Sequence, residues 1–465
     1  MKLHILLALH LCIAAAASAG NWPGWRGPEG TGVSSETDLP ETWATNQNVR
    51  WHVALPGPGN SSPIAWGDRV FIAQAIKSEK RRTVICFDRA TGRQLWQAGV
   101  IYAENEPTQE KNPYCSATPV TDCERVVASF GSAGLYCYDM EGKELWHRDF
   151  GKMNHIFGNA SSPVLYGELC ILDFGPDPKA RLIAVNKRDG HTAWEVEPPK
   201  VDPSEQTPPP GAFGGPGGPG GRGGFGPGGP GGGPGGPGGP RGGFGPGGPG
   251  GPGGSPNGTW STPVVIKVGQ RDELVMSFPN RLAAYDPETG KQLWFSKGIG
   301  DSTYATPVPG DGLVVGTSST PMGGVALAVR PGGNGDVTES QRVWRSDRVK
   351  SAIGSGVIQE GYLYLIGQDG TASCLELKTG NRVWEERLKG PGAKGGTWSS
   401  ILLAGGKLYV PNQSGDVFVL RTGPKFDLLA TNSVNEPTNA SLAASDGDMF
   451  LRTDRGLWCL ARAKQ

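Results

Sequence analysis

Charge of one sign, clustered histidine and long apolar runs are all missing from this chain of 465 residues, and each absence excludes a class of function. Lys plus Arg and Asp plus Glu each number 44, so no net field draws the protein to nucleic acid or to an acidic membrane surface. Past the N-terminus no apolar stretch approaches the roughly 18 residues that a membrane helix requires. Beyond the first residues the histidines are His52, His147, His155 and His191. They are too scattered to assemble a metal cluster or a Ser-His-Asp set. Cysteine occurs eight times but never as an adjacent pair or as Cys-x-x-Cys, which leaves zinc and dithiol chemistry without a motif. No glycine fingerprint in a strand-to-helix context, Walker motif or EF-hand spacing occurs. Sustained helical spacing of apolar residues is also missing, which disfavours α/β folds.

Glycine (75) and proline (40) are abundant instead. With 37% hydrophobic residues and 14 Trp, the chain still has enough apolar surface for a large core. Lys2, the apolar residues 3–17 and Ala17-Ser18-Ala19 before Gly20 predict a secretory signal peptide over residues 1–19. The expected location is therefore periplasmic or extracellular. Without Cys12 seven cysteines remain: Cys86, Cys115, Cys123, Cys137, Cys170, Cys374 and Cys459. An odd set in an oxidising compartment implies at least one free thiol or an intermolecular bridge. Residues 211–254 are Gly and Pro except at Ala212, Phe213, Arg222, Phe225, Arg241 and Phe244. Such a segment cannot offset its chain entropy, so a disordered insertion is expected over residues 199–258. Its broken phase argues against a collagen helix.

The rest of the chain repeats itself. Cys86-Phe-Asp-Arg-Ala-Thr-Gly-Arg-Gln-Leu-Trp96 returns as Cys137-Tyr-Asp-Met-Glu-Gly-Lys-Glu-Leu-Trp146 and Ala184-Val-Asn-Lys-Arg-Asp-Gly-His-Thr-Ala-Trp194. It continues as Ala284-Tyr-Asp-Pro-Glu-Thr-Gly-Lys-Gln-Leu-Trp294, a looser copy ending at Trp344, and Cys374-Leu-Glu-Leu-Lys-Thr-Gly-Asn-Arg-Val-Trp384. Successive tryptophans lie 50, 48, 100, 50 and 40 residues apart, and the double interval contains the glycine segment. Each phrase reads as two strands joined at a tight glycine turn, with two further strands before it. Four-stranded units of this length predict an all-β fold, a radial β-propeller.

Eight innermost strands can be aligned, opening at Ser61-Ser62, Ala117-Thr118, Ser161-Ser162, Ser261-Thr262, Ala305-Thr306, Gly354-Ser355, Ser399-Ser400 and Ala440-Ser441. The last unit lacks a fourth strand, whereas Asn48-Val49-Arg50-Trp51 resembles one. An eight-bladed ring closed by this N-terminal strand is therefore expected. The domain reading is a signal peptide (1–19), an N-terminal arm (20–46) and a propeller (47–465) interrupted by 199–258.

The repeated Asp-x-x-Thr-Gly-x-x-(Leu/Val)-Trp phrase resembles the tryptophan-docking repeat of the pyrroloquinoline-quinone (PQQ)-like eight-bladed propellers. Trp22-Pro-Gly-Trp-Arg-Gly-Pro28, followed by Gly30 and Gly32, is similar to the opening of a secreted bacterial branch of that superfamily. The superfamily includes quinoprotein dehydrogenases and a propeller lipoprotein that assists outer-membrane barrel assembly and binds protein. The dehydrogenases hold their quinone between a Trp and a disulfide of adjacent cysteines, with calcium on acidic and amide ligands and an Asp base. This chain has no adjacent cysteines.

Trp51, Trp96, Trp146, Trp194, Trp294, Trp344 and Trp384 are expected to dock each blade on its neighbour. Cys86, Cys137, Cys374 and Cys459 share a slot with Ala184, Ala284 and Ala328, so they read as small buried residues. The strand openings are read as small because they crowd the axis, or as a hydroxyl ring lining a polar channel. One position earlier stand Asn60, Ser116, Ala160, Trp260, Tyr304, Ile353, Trp398 and Asn439. Trp260, Tyr304 and Trp398 would gather near one channel mouth, with Asn60 and Asn439, as a ligand site. The sequence therefore predicts a non-catalytic binding or scaffold propeller, a monomer without cofactor or catalytic residue. Its partner would be a protein, peptide or saccharide. The alternative implied by the resemblance is an oxidoreductase that uses PQQ with calcium.

Overall fold

A computed structural model describes residues 20–155, 157–177, 179–200, 259–320 and 323–462. The expected signal peptide, and the expected insertion from residue 201 onward, lie outside the described residues.

Eight antiparallel sheets follow one another along the chain as the blades of a β-propeller. Blade 1 shows the pattern: Ile64–Trp66, Arg69–Ile76, Arg81–Asp88 and Gln94–Ile101 pair in sequence from the axis outward. Blade 8 takes Ala443–Ser445, Asp448–Arg452 and Gly456–Ala461 from the C-terminal end and Val49–Ala54 as its outermost strand. Trp51 pairs with Cys459 across that join, so the N-terminal strand closes the ring as expected. Helix among the described residues is limited to the 3-10 turns Lys77–Glu79 and Gly131–Ala133.

The core lies between the blades. Ile64, Phe71 and Cys86 of blade 1 pack with Val126, Ala128 and Tyr138 of blade 2. Similar clusters fill the successive seams round the ring. A four-stranded sheet buries its two faces only against neighbours, which is why the repeats are stable as a closed set.

The tryptophans do the docking. The indole N–H of Trp96 donates to Met140 O, that of Trp146 to Lys187 O and that of Trp344 to Leu377 O, each in the glycine turn of the next blade. Trp51 and Trp194 do the same to Arg89 O and Pro287 O, and Trp384 reaches Gly423 O. Each indole needs a small residue opposite. Cys86 faces Trp96, Cys137 faces Trp146, Ala284 faces Trp294 and Cys374 faces Trp384. Burial pushes the Cys86, Cys115, Cys137 and Cys374 thiols up to about 12. Cys123 is exposed.

Two seams depart from the expected repeat. Trp294 packs between blades 4 and 5, but its N–H turns back to Glu273 Oε2 of its own blade at 2.7 Å. The reason is the turn of blade 5, which lacks the Thr-Gly phrase and returns as Gly335–Asp336 to pair with Trp294 and Phe295. The outermost strand of blade 7, Leu428–Ser433, carries no tryptophan. Trp43 of the N-terminal arm takes that place, buried in the cluster that joins blades 7 and 8 and stacked on Tyr409.

Candidate functional site

The innermost strands begin with a chain of hydrogen bonds that runs round the axis. The backbone N–H of Ser62 donates to Thr118 Oγ1, Thr118 to Ser162 Oγ and Ser162 to Thr262 Oγ1, each at 3.0 Å. Thr306 donates to Ser355 Oγ, Ser355 to Ser400 Oγ, Ser400 to Ser441 Oγ and Ser441 back to Ser62 Oγ, each at 2.9 Å. The recurrence of Ser or Thr therefore has a reason beyond size. Each hydroxyl satisfies a buried donor of the preceding blade, which would otherwise cost the desolvation of an unpaired N–H.

Thr306 Oγ1 is the exception, because it accepts the indole N–H of Trp25 at 2.8 Å. Trp25 belongs to the N-terminal arm, which crosses the face of the ring where the innermost strands end. Trp22 bridges to Ala65 of blade 1, Pro23 O accepts from Thr121 of blade 2, and Val33–Ser34 runs parallel to Leu402–Ala404 of blade 7. Buried Arg26 fixes the arm to blade 6 by donating to Ser355 O at 3.2 Å and Gly356 O at 2.6 Å. Burial lowers its guanidinium to about 9.

Above Trp25 lies a cavity of about 260 Å³. Its lining includes all eight residues one position before the openings, from Asn60 to Asn439. Trp260, Tyr304, Trp398, Asn60 and Asn439 are thus brought into one concavity. Trp260 and Tyr304 stack with centroids 5.0 Å apart and planes at 30°. The Trp260 indole N–H is committed to Gly158 O at 2.9 Å, and His155 meets the ring edge-on at 5.0 Å. Burial lowers the pKa of His155 from its ordinary value. Trp398 enters from blade 7 with the exposed Lys111 ammonium 5.8 Å from its ring. The Asn60 amide donates to Lys111 O at 2.8 Å, and Asn439 Oδ1 accepts from Gln413 at 2.8 Å.

Four further residues line the cavity that sequence reasoning passed over: Gln109, Asn112, Phe157 and Gln368. Gln109, Asn112 and Phe157 sit on loops with no repeat, and Gln368 sits in a turn echoed only at Gln413 of blade 7, so only folding brings them to the mouth. Trp25 was visible as part of the opening motif, but nothing in that motif says that it enters the axis.

The described lining contains no carboxylate, histidine, cysteine, lysine or arginine. It does not supply the adjacent cysteines, acidic calcium ligands or Asp base of a quinone site. Among the described residues, no group of three or more His, Cys, Asp or Glu could hold a metal ion. Nor is any helix there long and apolar enough to cross a membrane.

No curated protein matches the chain. Among solved structures, BamB from Moraxella catarrhalis superposes with a TM-score of 0.54 at 12% identity, covering 88% of this chain and 99% of that one. A europium-containing methanol dehydrogenase gives 0.61 at 11% identity over 95% of this chain and 91% of its own. The computationally designed Ika8 protein gives 0.51 at 11% identity over 87% and 98%. At these identities the likeness is one of fold. The family model described as outer membrane protein assembly factor BamB matches residues 34–156, 80–207 and 279–450, most of the chain. With eight blades, tryptophan docking and this match, the chain belongs to that PQQ-repeat propeller family.

Proposed function

We propose that the protein is a secreted, non-catalytic binding propeller that takes its ligand in the axial cavity. The observation that carries this reading is the lining: aromatic faces, side-chain amides and Ser/Thr hydroxyls already committed to hydrogen bonds, with no carboxylate, histidine, cysteine, lysine or arginine among the described lining residues. General acid-base or nucleophilic catalysis needs such a group within hydrogen-bond reach of the substrate. Binding needs what is present, a concave site with stacking surface and a few polar groups. A role alongside other proteins, as the description outer membrane protein assembly factor suggests for that family, is compatible with the reading, because the outer strands are separate from the cavity.

The alternative is a quinoprotein oxidoreductase, since a methanol dehydrogenase shares the fold. Calorimetric titration of the secreted chain with PQQ, with and without calcium, tests it, followed by turnover assays with an artificial electron acceptor. Neither heat nor turnover is expected. Quinone- and calcium-dependent oxidation of an alcohol or sugar would overturn the binding reading.

A further inference from the structure

Which ligand the cavity suits follows from its open valences, on the reading above that it is a ligand site. Trp260 has committed its N–H to Gly158 O and is buried, so it backs the half-buried Tyr304, whose ring supplies the surface. Around this platform stand five side-chain amides: Asn60, Gln109, Asn112, Gln368 and Asn439. Several are half used. Asn60 and Asn112 donate to Lys111 O and Phe157 O, Gln368 donates to Ser351 Oγ, and Asn439 accepts from Gln413. Their remaining capacity is the oxygens of Asn60, Asn112 and Gln368 and the nitrogen of Asn439, with both ends of Gln109 in addition.

This set accepts and donates, carries no charge and adjoins an aromatic face. A phosphate or carboxylate would be desolvated there without a cation in the lining, at a cost of several kcal/mol or more. A purely apolar ligand would leave the amides unpaired. A neutral saccharide ring meets both demands: its hydroxyls donate and accept, and its C–H face, weakly positive, suits the negative face of an aromatic ring. Access decides which part of a saccharide fits. Trp25 and the hydroxyl chain close one end, and about 260 Å³ is just below the usual range of ligand sites, roughly 300–1,000 Å³. We infer that the axial cavity binds the terminal ring or two of a neutral saccharide end-on, stacked on Tyr304, which Trp260 backs, and held by the Gln109, Asn60 and Asn439 amides.

The test is calorimetry and ligand-observed NMR on the secreted chain. The probes are maltotriose, cellotriose, mannotriose, galactotriose, xylotriose and chitotriose, with a galacturonate trimer as the charged control. At least one neutral trimer is expected to bind saturably, with its terminal ring giving the strongest saturation transfer. Trp260→Ala should weaken binding about tenfold, the scale of one aromatic contact. Gln109→Ala, on a loop where folding is not at stake, should weaken it about threefold or more. Raising the salt from about 0.05 to about 0.5 M should leave the affinity unchanged, because no charge is paired. No binding of any neutral trimer at about 10 mM, or binding that both variants leave intact, would overturn the saccharide assignment. If peptides from a random library instead bind and lose affinity in Trp260→Ala, the saccharide is wrong and the cavity remains a ligand site. Quinone-dependent turnover would remove both.

Discussion

The Trp25 indole nitrogen lies 2.8 Å from Thr306 Oγ1, and that contact makes a pocket out of a channel. The hydroxyl that would continue the inter-blade chain at this point receives the arm instead. Trp25 also borders a smaller cavity of about 150 Å³ beneath it, so it is the partition between two spaces. Trp25→Phe keeps most of the partition but removes the donor to Thr306, an expected loss of about 1 kcal/mol. Trp25→Ala joins the two spaces and should cost about 2 kcal/mol or more. Urea unfolding of both variants checks the order; equal losses would show that the hydrogen bond is irrelevant.

Docking depends on the glycine turns. Gly142 has φ +87°, and a Cβ there would sit 2.6 Å from the Trp96 ring. Gly142→Ala should therefore cost about 2 kcal/mol, combining left-handed strain with displacement of the indole. Gly67 has φ +55° but faces open space, so Gly67→Ala should cost about 1 kcal/mol, the backbone contribution alone. Thermal and urea unfolding of the pair separate the two contributions.

The join of blades 8 and 1 carries buried charge. Arg452, fully buried, donates to Ala73 O at 2.7 Å, Ser61 O at 3.2 Å and Gln74 Oε1 at 2.5 Å. Burial lowers its guanidinium to about 10. Arg89 of blade 1 meets Asp448 of blade 8 at 3.2 Å. Arg452→Met strands these acceptors and should cost about 3 kcal/mol or more. Arg421→Met removes an exposed partner of Asp427 and should cost under about 0.5 kcal/mol, by the same unfolding measurement.

Asp173 in blade 3 is fully buried, and neither carboxyl oxygen has a hydrogen-bond partner among the described residues. Burial raises its pKa well above the ordinary 3.8. A raised folded-state value favours the protonated form. Its contribution is therefore intact below the unfolded value and is lost as pH rises through the folded one. Asp173→Asn should accordingly be more stable than the natural protein near pH 7 to 8, by about 1 kcal/mol or more. The difference should vanish as the pH approaches about 4. Urea unfolding across that range checks it, and a gap independent of pH would rule out titration of Asp173 as the cause.

Much of the architecture is readable from local rules. Asp-x-x-Thr-Gly-x-x-Leu-Trp encodes a hairpin whose glycine supplies the turn and whose tryptophan needs a next blade, so repetition implies a ring. The lone fourth-strand phrase at Trp51 implies how that ring closes, because an unpaired edge in blade 8 demands a partner. The residue positions at the channel mouth, Asn60 through Asn439, are legible for the same reason: they keep a constant offset from an alignable strand.

Where the repeat is broken, the tertiary structure alone decides. Trp43 substitutes for an anchor that blade 7 does not carry. Trp294 is turned back to Glu273 by an atypical turn in its neighbour. Gln109, Asn112, Phe157 and Gln368 come to the cavity from loops of differing length. Trp25 is separated from Thr306 by 281 residues, and no periodicity relates them. Periodic patterns report contacts that every unit makes with the next; contacts made once, across the ring, leave no trace until the chain has closed on itself.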